Sequence, residues 1–291
     1  MINVLILGGS GKLACRLSEE FDKKNLKVYS FSRNKVPVSN YYKDIIYSDY
    51  SFSNLKRTIS IVNPDIIVNA AACTDIEVCQ RRPEIAYKAN IEIPYFLSEI
   101  IKSDEFSDIF VVHISTDHVY SNLGFSSENN TNCVNNYASS KLYGEIPLQK
   151  MGALILRTNY IGRSEQKNSY LDWVIESIKN NHNVLLYNNI LFNPTEPANI
   201  AENIFYGFVE KVSGIYNIGS EGGWTKANIF LSLAERFNKK ITYKLVDYPQ
   251  TLISKPLDMR MDTSKATADG FSIISQNSLE MYIDQEFQNA I

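Results

Sequence analysis

The chain has 291 residues, 44% hydrophobic and 21% charged, a balance that supports a full core and excludes disorder along the whole length. At roughly 150 residues per domain, it fits two domains or one large α/β unit with an appendage. The net charge of −3, from 29 basic and 32 acidic side chains without a long run of Lys or Arg, disfavours a dedicated nucleic-acid or polybasic membrane surface.

Residues 2–7 read as a buried strand. The run is too short for a signal peptide and has no basic region before it. It leads into Gly8-Gly9-Ser10-Gly11-Lys12-Leu13-Ala14 and a helix over 11–23. Gly8 permits a tight turn, and Gly11 lets the backbone approach a pyrophosphate. The helix then points its amino end at the negative charge. Ala14 stands where a third small residue allows close helix–strand packing. Placed between a strand and a helix, this is a dinucleotide-binding signal, with a structural turn as the plain alternative. A P-loop is disfavoured, because no Gly-Lys-Ser/Thr follows.

The second strand, 27–31, ends in Ser32-Arg33. An acidic residue here would bond the ribose hydroxyls of NAD. A guanidinium can instead pair with a 2′-phosphate, so NADPH is favoured over NADH, and an exposed surface arginine is the alternative. Asp49 is read equally as reaching the adenine edge or as capping the helix at 55–62.

A strand at 65–69, a long helix at 83–103, a strand at 110–114, a helix at 136–150 and a strand at 153–157 follow. Strands alternating with helices imply βαβ units and a parallel sheet, with ligands at the strand carboxyl ends. Past residue 160 the pattern loosens. Helices are predicted at 169–180, 197–211 and 225–237, and short strands at 184–187, 215–218 and 241–245. The expected fold is therefore α/β: a Rossmann-type doubly wound parallel sheet with a smaller mixed α/β C-terminal lobe. The dinucleotide-binding part is expected over 1–160, with later returns to the sheet, and the substrate lobe mainly over 161–291. No apolar stretch reaches the roughly 18–20 residues that span a bilayer. Cys15, Cys73, Cys79 and Cys133 form no CxxC pair and no zinc spacing. They read as free buried thiols in a reducing cytoplasm.

Tyr137 and Lys141 lie four residues apart on a predicted helix and share a face. A nearby ammonium stabilises a phenolate, and such a tyrosine can donate a proton to a carbonyl oxygen as hydride reaches the carbon. The lysine could also bond the nicotinamide ribose. A surface pair is the alternative for YxxxK alone, but the strand at 110–114 runs into Ser115-Thr116-Asp117-His118 about twenty positions earlier. Thr116 could hold a substrate carbonyl beside Tyr137, with strand-end capping as the alternative for Ser115 and Thr116.

At this point the chain resembles the extended short-chain dehydrogenase/reductases, most of all the dTDP-4-dehydrorhamnose reductase group. The resemblance rests on GGSGKLA at 8–14, VNAAACTDIEVCQ at 68–80, HISTDHVYS at 113–121 and YASSKLYGE at 137–145. LRTNYIG at 156–162, NPTEPANIAENI at 193–204, GIYNIGS at 214–220 and PLDMRMDTSK at 256–265 continue it over nearly the whole chain. It implies a cofactor phosphate loop of Gly8, Ser10, Gly11, Lys12 and Leu13, with Ser32 and Arg33 around the adenosine ribose. Asn69, Ala70, Ala71 and Ala72 would run along the cofactor. Thr116, Tyr137 and Lys141 match the catalytic triad. Thr74, Asp75, His118, Asn159, Tyr160 and Arg260 would face the substrate, and the carboxy-terminal lobe would bind its nucleotide.

The implied reaction is NADPH-dependent reduction of the C4 keto group of a nucleoside-diphosphate 4-keto-6-deoxyhexose, yielding an activated deoxysugar for polysaccharide or glycoside synthesis. NADH is the second choice of cofactor. The expected setting is the cytoplasm, with pairing into a homodimer as the family habit and no metal, nucleic-acid or membrane partner. His118 stands where the family commonly has an aromatic and 4,6-dehydratases have Glu, which argues against dehydration; it either bonds substrate or is a packed histidine. Asn193 replaces a common Gly, and Lys255-Pro256 a common Arg-Pro. Two other readings remain. One is a nucleotide-sugar epimerase with tightly bound NAD, against which Arg33 argues. The other is a non-catalytic NADP-binding regulatory subunit, like that of methionine adenosyltransferase.

Overall fold

In the computed structural model, residues 2–33, 40–249 and 253–290 are described. Strands β1 (Asn3–Leu7), β2 (Lys27–Ser32), β3 (Asp44–Tyr47), β4 (Ile66–Asn69), β5 (Phe110–Thr116) and β6 (Leu154–Thr158) form one parallel sheet with β9 (Gly214–Ile218). The order is β3-β2-β1-β4-β5-β6-β9. The direction of winding reverses between β1 and β4, which opens a crevice at the strand carboxyl ends.

The strands are apolar on both faces. Val4 and Ile6 belong to the core under α1 (Lys12–Lys23) and α8 (Pro197–Val209), whereas Leu5 and Leu7 belong to the core under α2 (Phe52–Val62) and α5 (Ile93–Ile101). This is the period-2 alternation of a sheet covered on both sides. In α1 the buried residues are Ala14, Leu17, Ser18 and Phe21, the three-four spacing of a single helix face.

A further core gathers α7 (Tyr170–Lys179), β7 (Val184–Tyr187), α9 (Lys226–Arg236) and α11 (Gln276–Gln288) around Leu171, Phe230 and Phe287. The short pairs β8 (Leu191–Phe192) with β10 (Trp224–Thr225), and β11 (Tyr243–Val246) with β7, complete this region. Strand β9 and helices α8 and α10 (Ser264–Ala268) instead pack with the main sheet.

Several elements differ in extent from the sequence reading. The helix expected at 83–103 is α4 (Pro83–Ala86), a π-helical segment (Tyr87–Glu92) and α5 in succession. The strand expected at 241–245 is shifted to Tyr243–Val246, where it pairs in parallel with β7. Strand β5 runs on to Thr116, so this residue closes a strand rather than opening a loop. None of the four cysteines is in a disulfide among the described residues, and only Cys79 is fully buried.

Candidate active site

The carboxyl ends of β1, β4, β5 and β6 meet in a cleft of about 500 Å³ lined by Ser10–Ala14, Ala70, Ala72, Thr74, Thr116, Asp117, His118, Tyr137, Lys141, Asn159, Tyr160 and Gln166, among others. Thirteen of the residues singled out from sequence are thereby brought to one place: Ser10, Gly11, Lys12, Leu13, Ala70, Ala72, Thr74, Thr116, His118, Tyr137, Lys141, Asn159 and Tyr160.

The glycine loop has a built geometry. Gly8 has φ +83, and a Cβ there would stand 2.7 Å from Ala71 backbone atoms, so a side chain would meet both strain and collision. The Gly8 N–H donates to Phe31 O at 2.9 Å and to the Tyr50 hydroxyl at 2.6 Å. The Tyr50 hydroxyl in turn donates to Phe31 O, and Tyr42 donates to Gly9 O at 2.7 Å. The two tyrosines thus brace the loop from behind; burial holds both phenols above the ordinary tyrosine range. Gly11 is the N-cap of α1 and offers no side-chain cap, which leaves first-turn amides facing the cleft for an anion. Lys12 donates to Asn168 O at 2.8 Å.

Ser32 donates to Ser10 Oγ at 2.9 Å, tying the end of β2 to the loop. Arg33 is exposed beside it. Asp49 is engaged locally, accepting from Ser51 N and Asn54 Nδ2 at 2.9 Å each, and the Ser51 hydroxyl together with these bonds holds its carboxyl below the usual range. Asn69 is buried at the end of β4, where its Oδ1 accepts from Ala71 N at 3.2 Å.

Tyr137 and Lys141 lie on α6 (Asn136–Lys150), which Asn135 caps by accepting from Ala138 N at 2.9 Å. Both side chains are buried. Burial holds the Tyr137 phenol well above its ordinary pKa, with the Thr116 hydroxyl as the hydrogen-bonding neighbour acting against it. The sequence argument has the ammonium lowering that pKa. Here the Lys141 ammonium instead donates to Ile114 O at 2.7 Å and stands 3.4 Å from His113 Nε2. Burial lowers the lysine to about 8. A phenol in this setting keeps its proton at neutral pH.

Thr116 Oγ1 donates to Asp117 Oδ1 at 3.3 Å and accepts from His118 N at 3.2 Å. Asn159 Nδ2 donates to Asp117 Oδ2 at 2.7 Å. Burial raises the Asp117 carboxyl to about 7. The His118 ring meets Tyr137 edge-on at 5.4 Å, and burial together with Lys226 and Lys255 lowers it to about 4. His118 Nδ1 and the Tyr160 hydroxyl are buried in the cleft wall without hydrogen-bond partners among the described residues, the condition of groups that await one.

A second cleft joins the first at Thr74 and Ile76 and is also lined by Asp75, Glu77, Arg81, Tyr248 and Lys255. Asp75 caps α3 (Ile76–Arg81) by accepting from Val78 N at 3.0 Å. Arg260 is not brought to either cleft. Its guanidinium is held by both oxygens of Asp258 at 2.9 and 2.7 Å and lies 4.9 Å from the Phe125 ring centre; a carboxylate two residues away captures it. The sequence reading missed Lys226, whose ammonium is lowered by burial and by Lys255. It also missed Asp117 and Gln166 as cleft residues and the bracing Tyr42 and Tyr50. Asp117 lay within the quoted HISTDHVYS motif; the others carry no local signal.

The family model described as RmlD substrate binding domain matches residues 2–287. The dTDP-4-dehydrorhamnose reductase of Salmonella typhimurium is 26% identical over 290 residues, covering 91% of this chain and 90% of the relative. The probable low-salt glycan biosynthesis reductase Agl14 of Haloferax volcanii is 27% identical over 180 residues, which is 59% of each chain. The solved dTDP-4-dehydrorhamnose reductase from Bacillus anthracis, in complex with NADP, superposes with TM-score 0.85 at 19% identity, covering 99% of this chain and 100% of that one. The Thermus thermophilus UDP-glucose 4-epimerase complex with NAD superposes with TM-score 0.83 at 18% identity, covering 100% of both chains. At these identities the two structures establish the fold, which reductase and epimerase share. With the motif set, the parallel sheet and a family match along almost its full length, the chain belongs to the RmlD substrate binding domain family, within the extended short-chain dehydrogenases/reductases.

Proposed function

We propose that this protein is an oxidoreductase that uses NADPH, with NADH as a weaker substitute, to reduce the C4 ketone of a nucleoside-diphosphate 4-keto-6-deoxyhexose. Its product would be an activated deoxysugar for polysaccharide synthesis. The observation that carries this reading is the buried Tyr137, which lines the glycine-loop cleft together with Thr116 and Lys141. Reduction of a ketone needs a proton donor, whereas oxidation of an alcohol needs a phenolate at the outset.

The cleft suits a dinucleotide. The uncapped α1 start at Gly11 accommodates a pyrophosphate, and a Cβ at Gly8 would collide with Ala71 in the turn that shapes this loop. Arg33 and Ser32 would hold the adenosine ribose and its 2′-phosphate. Asn69, Ala70, Ala71 and Ala72 would follow the cofactor along the end of β4, and Lys141 would bond its nicotinamide ribose. NADPH, when bound, supplies the hydride for the carbonyl carbon. Tyr137 gives its phenolic proton to the carbonyl oxygen. Thr116 positions that oxygen and, as the hydrogen-bonding neighbour of Tyr137, favours the phenolate left behind, while the Lys141 ammonium, held at Ile114 O, serves the ribose. Thr74, Asp75, His118, Asn159 and Tyr160 would contact the sugar nucleotide. Lys226 and Lys255, which repel each other, would be relieved by its diphosphate. The later part of the chain would thus add Lys226 and Lys255 to a substrate side whose other contacts come from residues 74–160.

Arg33→Ala is expected to weaken NADPH binding roughly tenfold, the lower end for a charge-assisted contact at an exposed site, and to leave NADH binding unchanged; fluorescence titration of each cofactor measures this. Equal weakening of both would remove Arg33 from 2′-phosphate recognition.

The pH profile has a definite sign. Lys141 is charged below about 8, so kcat/KM is expected to hold level up to that pH and to fall above it as the ammonium is lost. Lys141→Arg keeps its charge throughout. Its rate drops with the altered geometry, and its alkaline limb disappears.

The cofactor content of the purified protein tests the reading against an epimerase. Exchangeable NADPH, with no retained NAD after dialysis, is expected. Stoichiometric NAD that survives dialysis would replace this proposal with the epimerase.

A further inference from the structure

Cys73 follows β4, and Cys79 lies in α3. Their sulfurs stand 3.6 Å apart, and the Cys79 thiol donates to Cys73 O at 3.4 Å. Both pack in the cluster around Tyr137. Cys79 is buried and Cys73 partly exposed, so Cys73 is the more accessible residue of the pair. A disulfide bond is about 2.05 Å long, so closure needs an approach of about 1.5 Å. We propose that Cys73 and Cys79 form a dithiol site that reacts with small-molecule disulfides, closing an intramolecular disulfide that displaces α3 at the junction of the two clefts.

The steps balance. The Cys73 thiolate attacks one sulfur of the external disulfide, forms a mixed disulfide and releases one small thiolate. Cys79 then gives its proton to that thiolate, attacks the Cys73 sulfur and releases the second small thiolate. The external disulfide takes up two electrons, and the two protein thiols lose them. Burial and the neighbouring Cys73 and Asp75 push the Cys79 thiol up to about 12, so Cys79 does not begin the exchange. It serves as the resolving thiol by proximity.

The moving part is also set by the structure. The Cys73 N–H donates to Asn90 Oδ1 at 2.8 Å, and Asn90 Nδ2 donates to Cys73 O at 3.0 Å. Asn90 Nδ2 also donates to Ser140 Oγ on α6 at 2.8 Å. The Cys73 backbone is therefore pinned to the helix that carries Tyr137. Helix α3 has only six residues, and it yields. With it go Ile76, shared by both clefts, and Asp75, Glu77 and Arg81 in the second. The consequence for substrate rests on the proposed function; the chemistry of the thiols does not.

The test is incubation with oxidised glutathione, alkylation of remaining thiols, peptide mapping by mass spectrometry and hydrogen exchange across 74–81. The expected result is a Cys73–Cys79 cross-linked peptide, altered exchange at 74–81, and reversal by dithiothreitol. Cys79→Ser is expected to hold glutathione as a persistent adduct on Cys73. In the oxidised wild type, kcat/KM for the keto sugar is expected to fall roughly tenfold to a hundredfold, with NADPH binding unchanged. A persistent adduct on wild-type Cys73, no reaction there, or a cross-link with unchanged exchange would overturn the proposal. If the reduced protein turns over no keto sugar, the proposed reaction falls, while cross-link and exchange still decide this one.

Discussion

Tyr137→Phe is expected to lower turnover of the keto sugar by roughly 10²- to 10⁴-fold, the usual worth of a positioned general acid, and to leave NADPH binding unchanged. The substitution removes one oxygen from a buried site next to Thr116 and His118 and keeps the ring that packs with Cys79 and Ala86. Folding is therefore conserved, and the loss is confined to proton donation. In steady-state terms, kcat falls, while KM for NADPH holds. Thr116→Val, which keeps the branched shape without the hydroxyl, is expected to lower kcat less severely. Retention of full activity in Tyr137→Phe would remove the assigned acid.

Arg157→Met and Glu145→Gln are expected to be the most destabilising substitutions near the site. Arg157 on β6 and Glu145 on α6 form a bidentate pair, with Nε at 3.0 Å and Nη2 at 2.7 Å from the two carboxylate oxygens, and both side chains are only 2% exposed. Arg157 Nη1 also donates to the Tyr120 hydroxyl at 2.8 Å and to Glu128 O at 2.7 Å. Ser115 Oγ donates to Glu145 from β5. Removing one member leaves the other charge buried and unpaired, at a cost of about 3–5 kcal/mol for Arg157→Met and somewhat less for the neutral amide. Urea unfolding monitored by circular dichroism measures this. Glu145 lies one turn after Lys141, so the pair holds α6 against β6, and the Ser115 bond ties the same carboxylate to β5, where Thr116 ends. Activity is thus expected to fail below the denaturant midpoint of the wild type. A loss under about 1 kcal/mol in Arg157→Met would show that the pair is not isolated from water.

The cofactor half is legible in the sequence because its signals are local. An apolar run leading into glycines or small hydroxyls marks β1, with Gly8, and β5, with Thr116. Strand β3 escapes this reading. It is a four-residue edge strand, half exposed, with Asp44 and Tyr47 at its ends, so it lacks the run that double-sided burial imposes. Helix α3 is short and buries only Cys79. Helix α11 is different: Leu279, Ile283 and Phe287 recur every four residues and all are buried, so its signal is present, yet no element is read past residue 245.

The substrate side is less legible because its residues converge from distant segments. Lys226 opens α9, Lys255 lies in an irregular stretch, and both act on His118. No spacing in the chain links them. Arg260 carries the opposite lesson, since the motif around it matches the family while its guanidinium is engaged by Asp258. Lys141 shows a finer limit. Its place on the Tyr137 helix follows from a four-residue spacing, but the carbonyl that holds it, Ile114 O, follows only from packing α6 on β5.

The most direct measurement is oxidation of NADPH by the reduced protein, followed by absorbance, with a panel of dTDP-, GDP- and CDP-4-keto-6-deoxy sugars and a parallel NADH series. Stoichiometric conversion of one keto sugar to its 4-hydroxy product, faster with NADPH than with NADH and abolished in Tyr137→Phe, is the predicted result. Folded protein that binds NADPH yet oxidises none of it across the panel, or that interconverts 4-hydroxy sugars with no net consumption of cofactor, would contradict it.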